Sequence, residues 1–386
     1  MLFKKKSELI KDFNKVYIFI FIFYYLYSII LSFWSQDLYL SLKSSLFYFR
    51  FGILVLAINY YLSVTQNFVN KFSTFLVLVI VVVCLDALFQ YFFGYNFLGF
   101  KTHNSDKLNG LFGDEPILGS YLFRIMPLIF AVLIFRFKQI KYSYLISLLM
   151  ILMFIVIFLS GSRSSIALSL LFISLFFIFI KRCQKPIIIF ATLLLIFCAI
   201  FYKINDRFSY TVYYNLVDPV KRVYSNEYTN ADLNLKNRSY RLFSAVHESH
   251  YLTAYKIFEE NKIFGIGNKM FRVACSDKNY YINEFSCTTH PHNYYLQVLS
   301  ENGLIGFLIL IFCFFSCSTI ILKEFWLRYF RKIEKVNDPC IIILIGLFVS
   351  LWPIIPTGNL FNNWISIMIY FPLGFYYFLK KNYNAN

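Results

Sequence analysis

The sequence predicts an all-α integral membrane protein with about ten transmembrane helices and one large loop outside the cytoplasm. Composition is the first observation behind this class. The 386-residue chain is 59% hydrophobic and 22% aromatic, whereas ordinary soluble domains are about 45–50% apolar. The second observation is that apolar residues gather into long runs, and the third is that basic residues alternate between the connections that join those runs.

The apolar runs divide the chain into four parts. A transmembrane helix needs about 20 mostly apolar residues, and several of the runs are slightly shorter. We expect N-terminal helices in residues 1–93, central helices in 94–202, a large loop in 203–290 and C-terminal helices in 291–386. The ten runs are Val16–Trp34, Leu46–Leu62, Phe75–Phe93, Ile117–Phe135, Tyr144–Leu159, Ile166–Ile180, Ile187–Tyr202, Leu304–Leu322, Ile341–Ile355 and Trp364–Leu379.

The net charge of +17 is spread unevenly over the connections. On a soluble chain such an excess would suggest nucleic acid as a partner, but here it follows membrane orientation. Cytoplasmic loops of membrane proteins carry an excess of Lys and Arg, so both termini are predicted to be cytoplasmic. The loop 203–290 is then outside, and no nucleic-acid partner is expected. The basic residues lie at the N-terminus and in every second connection: Lys4, Lys5, Lys6, Lys11, Lys15, Lys71, Arg136, Lys138, Lys141, Lys181, Arg182, Lys185, Lys323, Arg328, Arg331, Lys332, Lys335, Lys380 and Lys381.

The stretch from His290 to Gly306 combines titratable groups with helix signals at the start of a membrane run. Pro291 fits the first turn of a helix, where its missing N–H is not needed, so His292 is predicted to lie inside that turn. Free N–H groups at such a position can hold an anion beside the imidazole. Gly303 is predicted to stop this helix, just before the run Leu304–Leu322. An interfacial histidine without function is the alternative.

The pattern His292-Asn293, nine residues, then Gly303-x-x-Gly306 resembles the signature of the O-antigen ligase and polymerase family. The resemblance covers roughly residues 110–306 and the helices that follow. It implies a GT-C-like membrane glycosyltransferase with a periplasmic active site in the bacterial inner membrane. It also implies His292 as base or acceptor-positioning group, His290 as its neighbour, and Asn293, Gly303 and Gly306 as motif-supporting residues.

Arginines are the candidates for binding a diphosphate. Arg163 lies between two apolar runs at the outer boundary, and its planar fork of donors matches phosphate oxygens, although a membrane anchor would also place an arginine there. The family has a Ser-Arg at this point, and a second Arg on the large loop. In this sequence that second position falls near His247, so we favour Arg241, with Arg238, His247, His250 and Arg272 as alternatives. Arg124, inside a membrane run, is either another diphosphate ligand or a partner of Asp86.

The resemblance implies a reaction and its partners. The donor would be a glycan linked to undecaprenyl diphosphate, and the acceptor a hydroxyl of lipid A-core in the ligase branch or a growing glycan in the polymerase branch. Membrane lipids are further partners. The alternative from another class is a lipid-linked glycan transporter, which would place polar residues along several helix centres, whereas here they gather on the outer side.

The sequence lacks the usual motifs for binding metals and cofactors. No Asp-x-Asp pair, Gly-rich phosphate loop or Cys-x-x-Cys motif is present, so no metal and no cofactor are expected.

Cys275 and Cys287 both fall in the outer loop, twelve residues apart. They are candidates for a disulfide in an oxidising periplasm, with two free thiols as the alternative.

Overall fold

The computed structural model describes residues 14–65, 67–102, 107–217 and 243–383. These residues are helical throughout the membrane part and contain no strand beyond one isolated bridge. We number the α-helices in chain order: α1 Lys15–Ser32, α2 Leu38–Leu46, α3 Phe49–Val64, α4 Phe68–Phe93, α5 Leu118–Arg136, α6 Lys141–Leu159, α7 Arg163–Phe179, α8 Lys181–Ile204, α9 Asp206–Val212, α10 Ala245–Glu260, α11 Phe271–Ala274, α12 Tyr294–Trp326, α13 Asp338–Ser350 and α14 Asn363–Tyr383.

Every predicted apolar run overlaps one of these helices. Within the described residues, seven helical segments are long and apolar enough to cross a membrane, α2 and α3 counting as one. The helices α7 and α13 are apolar but shorter, and α14 carries Pro372 and two C-terminal lysines. An integral membrane protein is thus confirmed, while the count of ten spans and the division into four parts stay predictions.

The centre of the bundle is α5. Most of its side chains are buried, including Phe123, Met126 and Phe130, and it packs against α13, α6, α4, α7 and α14. By contrast α8 lies at the periphery and leaves most of its apolar residues exposed. A helix that is apolar on all sides fits either a core or a lipid contact, so α5 is the internal support and α8 faces outward.

One helix boundary was predicted wrongly in the C-terminal part. The run Ile341–Ile355 was expected to be helical throughout, but α13 ends at Ser350. Pro353 and Pro356 follow, and proline removes the N–H that a helix interior requires. The chain between α13 and α14 is therefore irregular, and it lies against the start of α12, where Thr357 N–H donates to the carbonyl of His292 at 2.8 Å.

We expect topology tags to separate two sides of the protein. Tags at Lys71, Lys138 and Lys332 should report cytoplasm, and a tag at the exposed Lys278 should report periplasm, because cytoplasmic connections carry the basic residues. The measurement is paired alkaline phosphatase and green fluorescent protein fusions. A cytoplasmic signal from Lys278 would put the histidine motif on the opposite side of the membrane and contradict the orientation.

Candidate active site

The motif at residues 290–293 forms a turn in front of α12. His292 adopts a left-handed backbone conformation with φ 55°, and Asn293 is the N-cap of the helix, its Oδ1 accepting from the N–H of Tyr295 at 2.9 Å and of Leu296 at 3.2 Å. The prediction that Pro291 and His292 lie inside the first turn was wrong, because the Asn293 side chain satisfies the first free N–H groups and so sets the helix start. His292 stands just outside the helix, facing the loop.

Four imidazoles meet at this turn. The ring centroids of His290 and His292 are 4.2 Å apart, and His292 lies 5.4 Å from His247 and 5.5 Å from His250. The last two are three residues apart on α10, a spacing that puts them on one helical face. We call these four residues the histidine cluster; the fifth histidine, His103, lies outside the described residues.

Burial and mutual repulsion keep the cluster neutral. The pKa of His292 is lowered to about 3, first by burial and then by the three other imidazoles. Burial likewise lowers the pKa of His290 to about 4, while a hydrogen bond to the backbone of Thr357 acts in the opposite direction. Burial also lowers the pKa of His247 and of His250. A neutral imidazole has a free lone pair, so these rings are unprotonated at neutral pH and can accept hydrogen bonds.

Two cations border the cluster. Arg272 on α11 donates to the carbonyl of Thr289 at 3.2 Å and lowers the pKa of His290. Lys107, from the connection between α4 and α5, lowers the pKa of His247. The disulfide between Cys275 and Cys287 is present, with a Cα–Cα distance of 5.1 Å, and it restrains the chain that leads from α11 to His290. Cations around neutral imidazoles favour an anionic ligand.

Arg124 is connected directly to the motif. Its side chain is 4% exposed, and it donates to the Tyr294 hydroxyl at 3.2 Å and to Ser120 of its own helix. The guanidinium lies 5.6 Å from the centroid of the Trp364 ring. Asp86 instead accepts from Asn96 and Phe97, so the predicted alternative of an Arg124–Asp86 pair was wrong, since among the described residues Arg124 has hydroxyl, carbonyl and ring partners only.

Arg163 is the first residue of α7 and directly follows the turn that joins α6 to α7. Its guanidinium donates to the carbonyl of Tyr214 at 2.9 Å and stacks 4.2 Å from the centroid of that ring. A Cβ added at Gly119, near the start of α5, would collide with Ser160 of the same turn. Because α5 also carries Arg124, this helix joins the Arg163 turn to the motif.

We expect Arg163→Lys to distinguish a diphosphate ligand from a membrane anchor. Lysine keeps the charge and can still reach the headgroups, but it loses the two-pronged geometry. If Arg163 grips a diphosphate, transfer should fall by one or two orders of magnitude, about 1.4–2.8 kcal/mol. The measurement is initial rate at equal protein content. Normal rates for the lysine variant would leave only the anchoring role.

The favoured loop ligand, Arg241, and its alternative Arg238 lie outside the described residues, and their role stays a prediction. The remaining alternatives are His247, His250 and Arg272. The structure brings all three to the motif, two on α10 and one on α11. His247, near which the resemblance predicts a loop arginine, has its ring centroid 5.4 Å from that of His292.

Two glycines hold the loop against α12. Gly303 interrupts the helix with φ 63° and ψ −163°, as the prediction that it stops the first segment required. At this break Leu304 N–H donates to the Lys262 carbonyl at 2.8 Å. Gly265 has φ 70°, and a Cβ added there would lie 2.5 Å from the Gly303 nitrogen. Backbone packs on backbone here, which leaves room for glycine alone.

A buried carboxylate connects α11 to the same segment. Glu301 is fully buried and accepts from the N–H of Phe271 at 3.1 Å and from Gln297 Nε2 at 3.1 Å. Gln297 also donates to Asn359, at 2.9 Å, in the chain between α13 and α14. Arg272 follows Phe271, so these bonds fix the place of Arg272 relative to the motif.

Sequence reasoning missed one part of the site, the chain between α13 and α14. Asn293 Nδ2 donates to the carbonyl of Pro353 at 2.7 Å, and the Tyr295 hydroxyl donates to that of Leu351 at 2.6 Å. The signal was present in Pro353, Pro356, Gly358 and Asn359, residues typical of an ordered turn rather than a membrane span. This segment supports the motif from the side opposite α10.

Comparison with known families gives a match over the part of the chain that contains the motif. Residues 148–311 match the family model described as O-antigen ligase. This part of the chain is therefore similar to the O-antigen ligase family. The O-antigen ligase region contains Arg163, α10 with its two histidines, the motif and Gly303-x-x-Gly306, whereas Arg124 and the chain between α13 and α14 lie outside it. No curated protein matches the chain.

Proposed function

We propose that the protein is a membrane glycosyltransferase that moves a glycan from undecaprenyl diphosphate to a sugar hydroxyl of lipid A-core. We place it in the bacterial inner membrane, with both termini in the cytoplasm and the reaction at the periplasmic face. The match to the O-antigen ligase family supports an enzyme with a lipid-linked glycan and an acceptor as partners. The basic connections support the orientation.

The observation that carries the proposal is the position of His292. Its imidazole stands ahead of α12, with neutral imidazoles beside it and with Arg272 and Lys107 at the border of the cluster. A general base must be unprotonated and must reach the proton that it removes. His292 meets the first condition because its pKa is low, and its place in the turn at the start of a membrane helix offers it to a lipid-linked substrate.

Each candidate residue has a separate role in the proposed reaction. His292 accepts the proton of the acceptor hydroxyl as its oxygen attacks the anomeric carbon, and the bond from that carbon to the diphosphate breaks. Arg163, Arg241 and Arg124 neutralise the charge that develops on the leaving diphosphate, as positioned cations do at phosphoryl groups. His290 supports its neighbour. A single displacement of this kind inverts the anomeric carbon.

The acceptor distinguishes a ligase from a polymerase, and transfer in vitro tests which acceptor is used. The purified protein is given a lipid-linked glycan together with lipid A-core, or with a second lipid-linked unit. We expect glycan on lipid A-core. Elongated lipid-linked glycan would assign the protein to the polymerase alternative, and transfer to neither acceptor would contradict the proposed reaction.

We expect transfer to persist in EDTA. Among the described residues no group of three or more His, Cys, Asp or Glu side chains is arranged to hold a metal ion, and arginines can serve the diphosphate instead. The measurement compares the initial rate before and after chelation. Recovery of a lost rate on adding Mg²⁺ or Mn²⁺ would show that the reaction depends on a metal.

A further inference from the structure

His250 is the most enclosed member of the histidine cluster. Its side chain is 4% exposed. Burial lowers the pKa of His250, and backbone hydrogen bonds to Ser286 and Phe285 act in the opposite direction. Nδ1 has no hydrogen-bond partner among the described residues, so the backbone bonds belong to the other ring nitrogen. A buried polar atom without a partner costs free energy, so a ligand that accepts a hydrogen bond from Nδ1–H would remove this cost.

The groups around the cluster indicate which of the four imidazoles would be protonated first. Arg272 and other imidazoles oppose protonation of His290, and Lys107 with His250 opposes that of His247. The other three imidazoles oppose protonation of His292. His250 differs, because its principal influences apart from burial are the backbone groups of Ser286 and Phe285, which favour the protonated ring.

No carboxylate is among the principal influences on the pKa values of the four imidazoles. Glu248 on α10 and Glu284 in the loop ahead of the motif are near in sequence, yet neither is among the principal influences on the four imidazoles. The cations Arg272 and Lys107 already border the cluster, so an anion that enters it meets two positive charges. A bound anion would offset the positive charges that oppose protonation, and so it would raise the pKa values of the imidazoles.

We propose that His250 binds the diphosphate of the donor in its protonated form, Nδ1–H donating to a phosphoryl oxygen, so that donor binding takes up one proton. This rests on the proposed function and assigns a diphosphate ester as the ligand of a residue that the sequence offered as one alternative to a loop arginine. During transfer the acceptor proton passes to His292. The electron pair of the broken carbon–oxygen bond leaves with the diphosphate, and the His250 proton offsets the added negative charge.

The linkage has a definite sign. A group that is neutral in the free protein and protonated in the complex strengthens binding at low pH, and this gain is lost as pH rises. A diphosphate substituted at both ends is a suitable probe, because it lacks the second ionisation near pH 6 of a phosphate monoester. We expect the donor to bind about tenfold more weakly at pH 8 than at pH 6.

The experiment is calorimetry of the full-length protein in nanodiscs with undecaprenyl-diphosphate-linked glycan, in two buffers of different ionisation enthalpy. Wild type should take up about one proton at pH 6. In His250→Gln, which keeps a polar group of similar size, proton uptake should vanish and binding should lose its pH dependence. His247→Gln, one turn earlier on α10, is the matched control and should retain the uptake.

The outcomes separate this inference from the proposed function. Donor binding without proton uptake, or uptake that persists in His250→Gln, overturns the role of His250 while transfer to lipid A-core still supports the enzyme. A protein that neither binds the donor nor transfers glycan contradicts both. Proton uptake on moving the protein from zwitterionic to anionic phospholipid nanodiscs without donor would assign the site to a phospholipid headgroup, which also overturns the inference.

Discussion

His292→Ala should abolish transfer while the protein remains in the membrane at normal amounts. Loss of a general base typically lowers a rate by about 10²–10⁴. The turn itself should survive, because the bonds that hold it are made by the backbone carbonyl of His292 and the side chain of Asn293. The measurement is initial rate at saturating donor and acceptor.

His290→Ala is the matched control. Its ring lies 4.2 Å from that of His292 and shares its environment, but we assign it a supporting role and expect a smaller loss. Donor binding should survive both changes, since we propose that arginines hold the diphosphate. Normal transfer by His292→Ala would contradict the role of His292 as base, and loss of donor binding would place it among the diphosphate ligands instead.

Gly303→Ala should release the loop from α12. The backbone at this position has φ 63°, and an added Cβ would lie 2.7 Å from the nitrogen of Gly265 and collide with the carbonyl of Ile263. This backbone conformation, nearly exclusive to glycine, costs about 1–3 kcal/mol for alanine, and the collision adds about 1–3 kcal/mol. Because the loop carries α10 and α11, transfer should fall at least about a hundredfold, equivalent to roughly 2.7 kcal/mol.

Gly99→Ala is the control that introduces backbone strain without a steric collision. Gly99 also has a positive φ, of 86°, but no atom lies within 4 Å of an added Cβ. It should unfold at a slightly lower temperature and transfer at a nearly normal rate. Thermal unfolding and initial rate are measured for both variants. Equal behaviour of Gly303→Ala and Gly99→Ala would contradict the role of the contact between Gly303 and Gly265.

Local signals in the sequence predicted much of the membrane part. Each apolar run marks a helix because burial in lipid or in the bundle requires apolar side chains over a fixed length. Gly303 was recognised as a break because glycine alone adopts its conformation without strain. The start of α12 was misplaced by three residues, because two helix-start signals, Pro291 and Asn293, lie close together and hydrogen bonds to Asn293 decide between them.

The site itself depends on contacts that sequence spacing does not contain. His247 and His250 are more than forty residues from His292, and their meeting follows from the packing of α10 on α12. The pKa of each imidazole depends on that burial. The contact of Thr357 with His292 required knowing that the chain after α13 turns back, which the proline and glycine residues there suggested only locally.

The most direct test of the account is the balance of the reaction with purified protein. Undecaprenyl-diphosphate-linked glycan and lipid A-core are supplied, and both released undecaprenyl diphosphate and glycan-bearing acceptor are quantified for wild type and for His292→Ala. We predict one lipid diphosphate released for each glycan transferred by wild type, and neither product from His292→Ala. Transfer without release of the lipid diphosphate, or equal transfer by both proteins, would contradict a displacement of the diphosphate at His292.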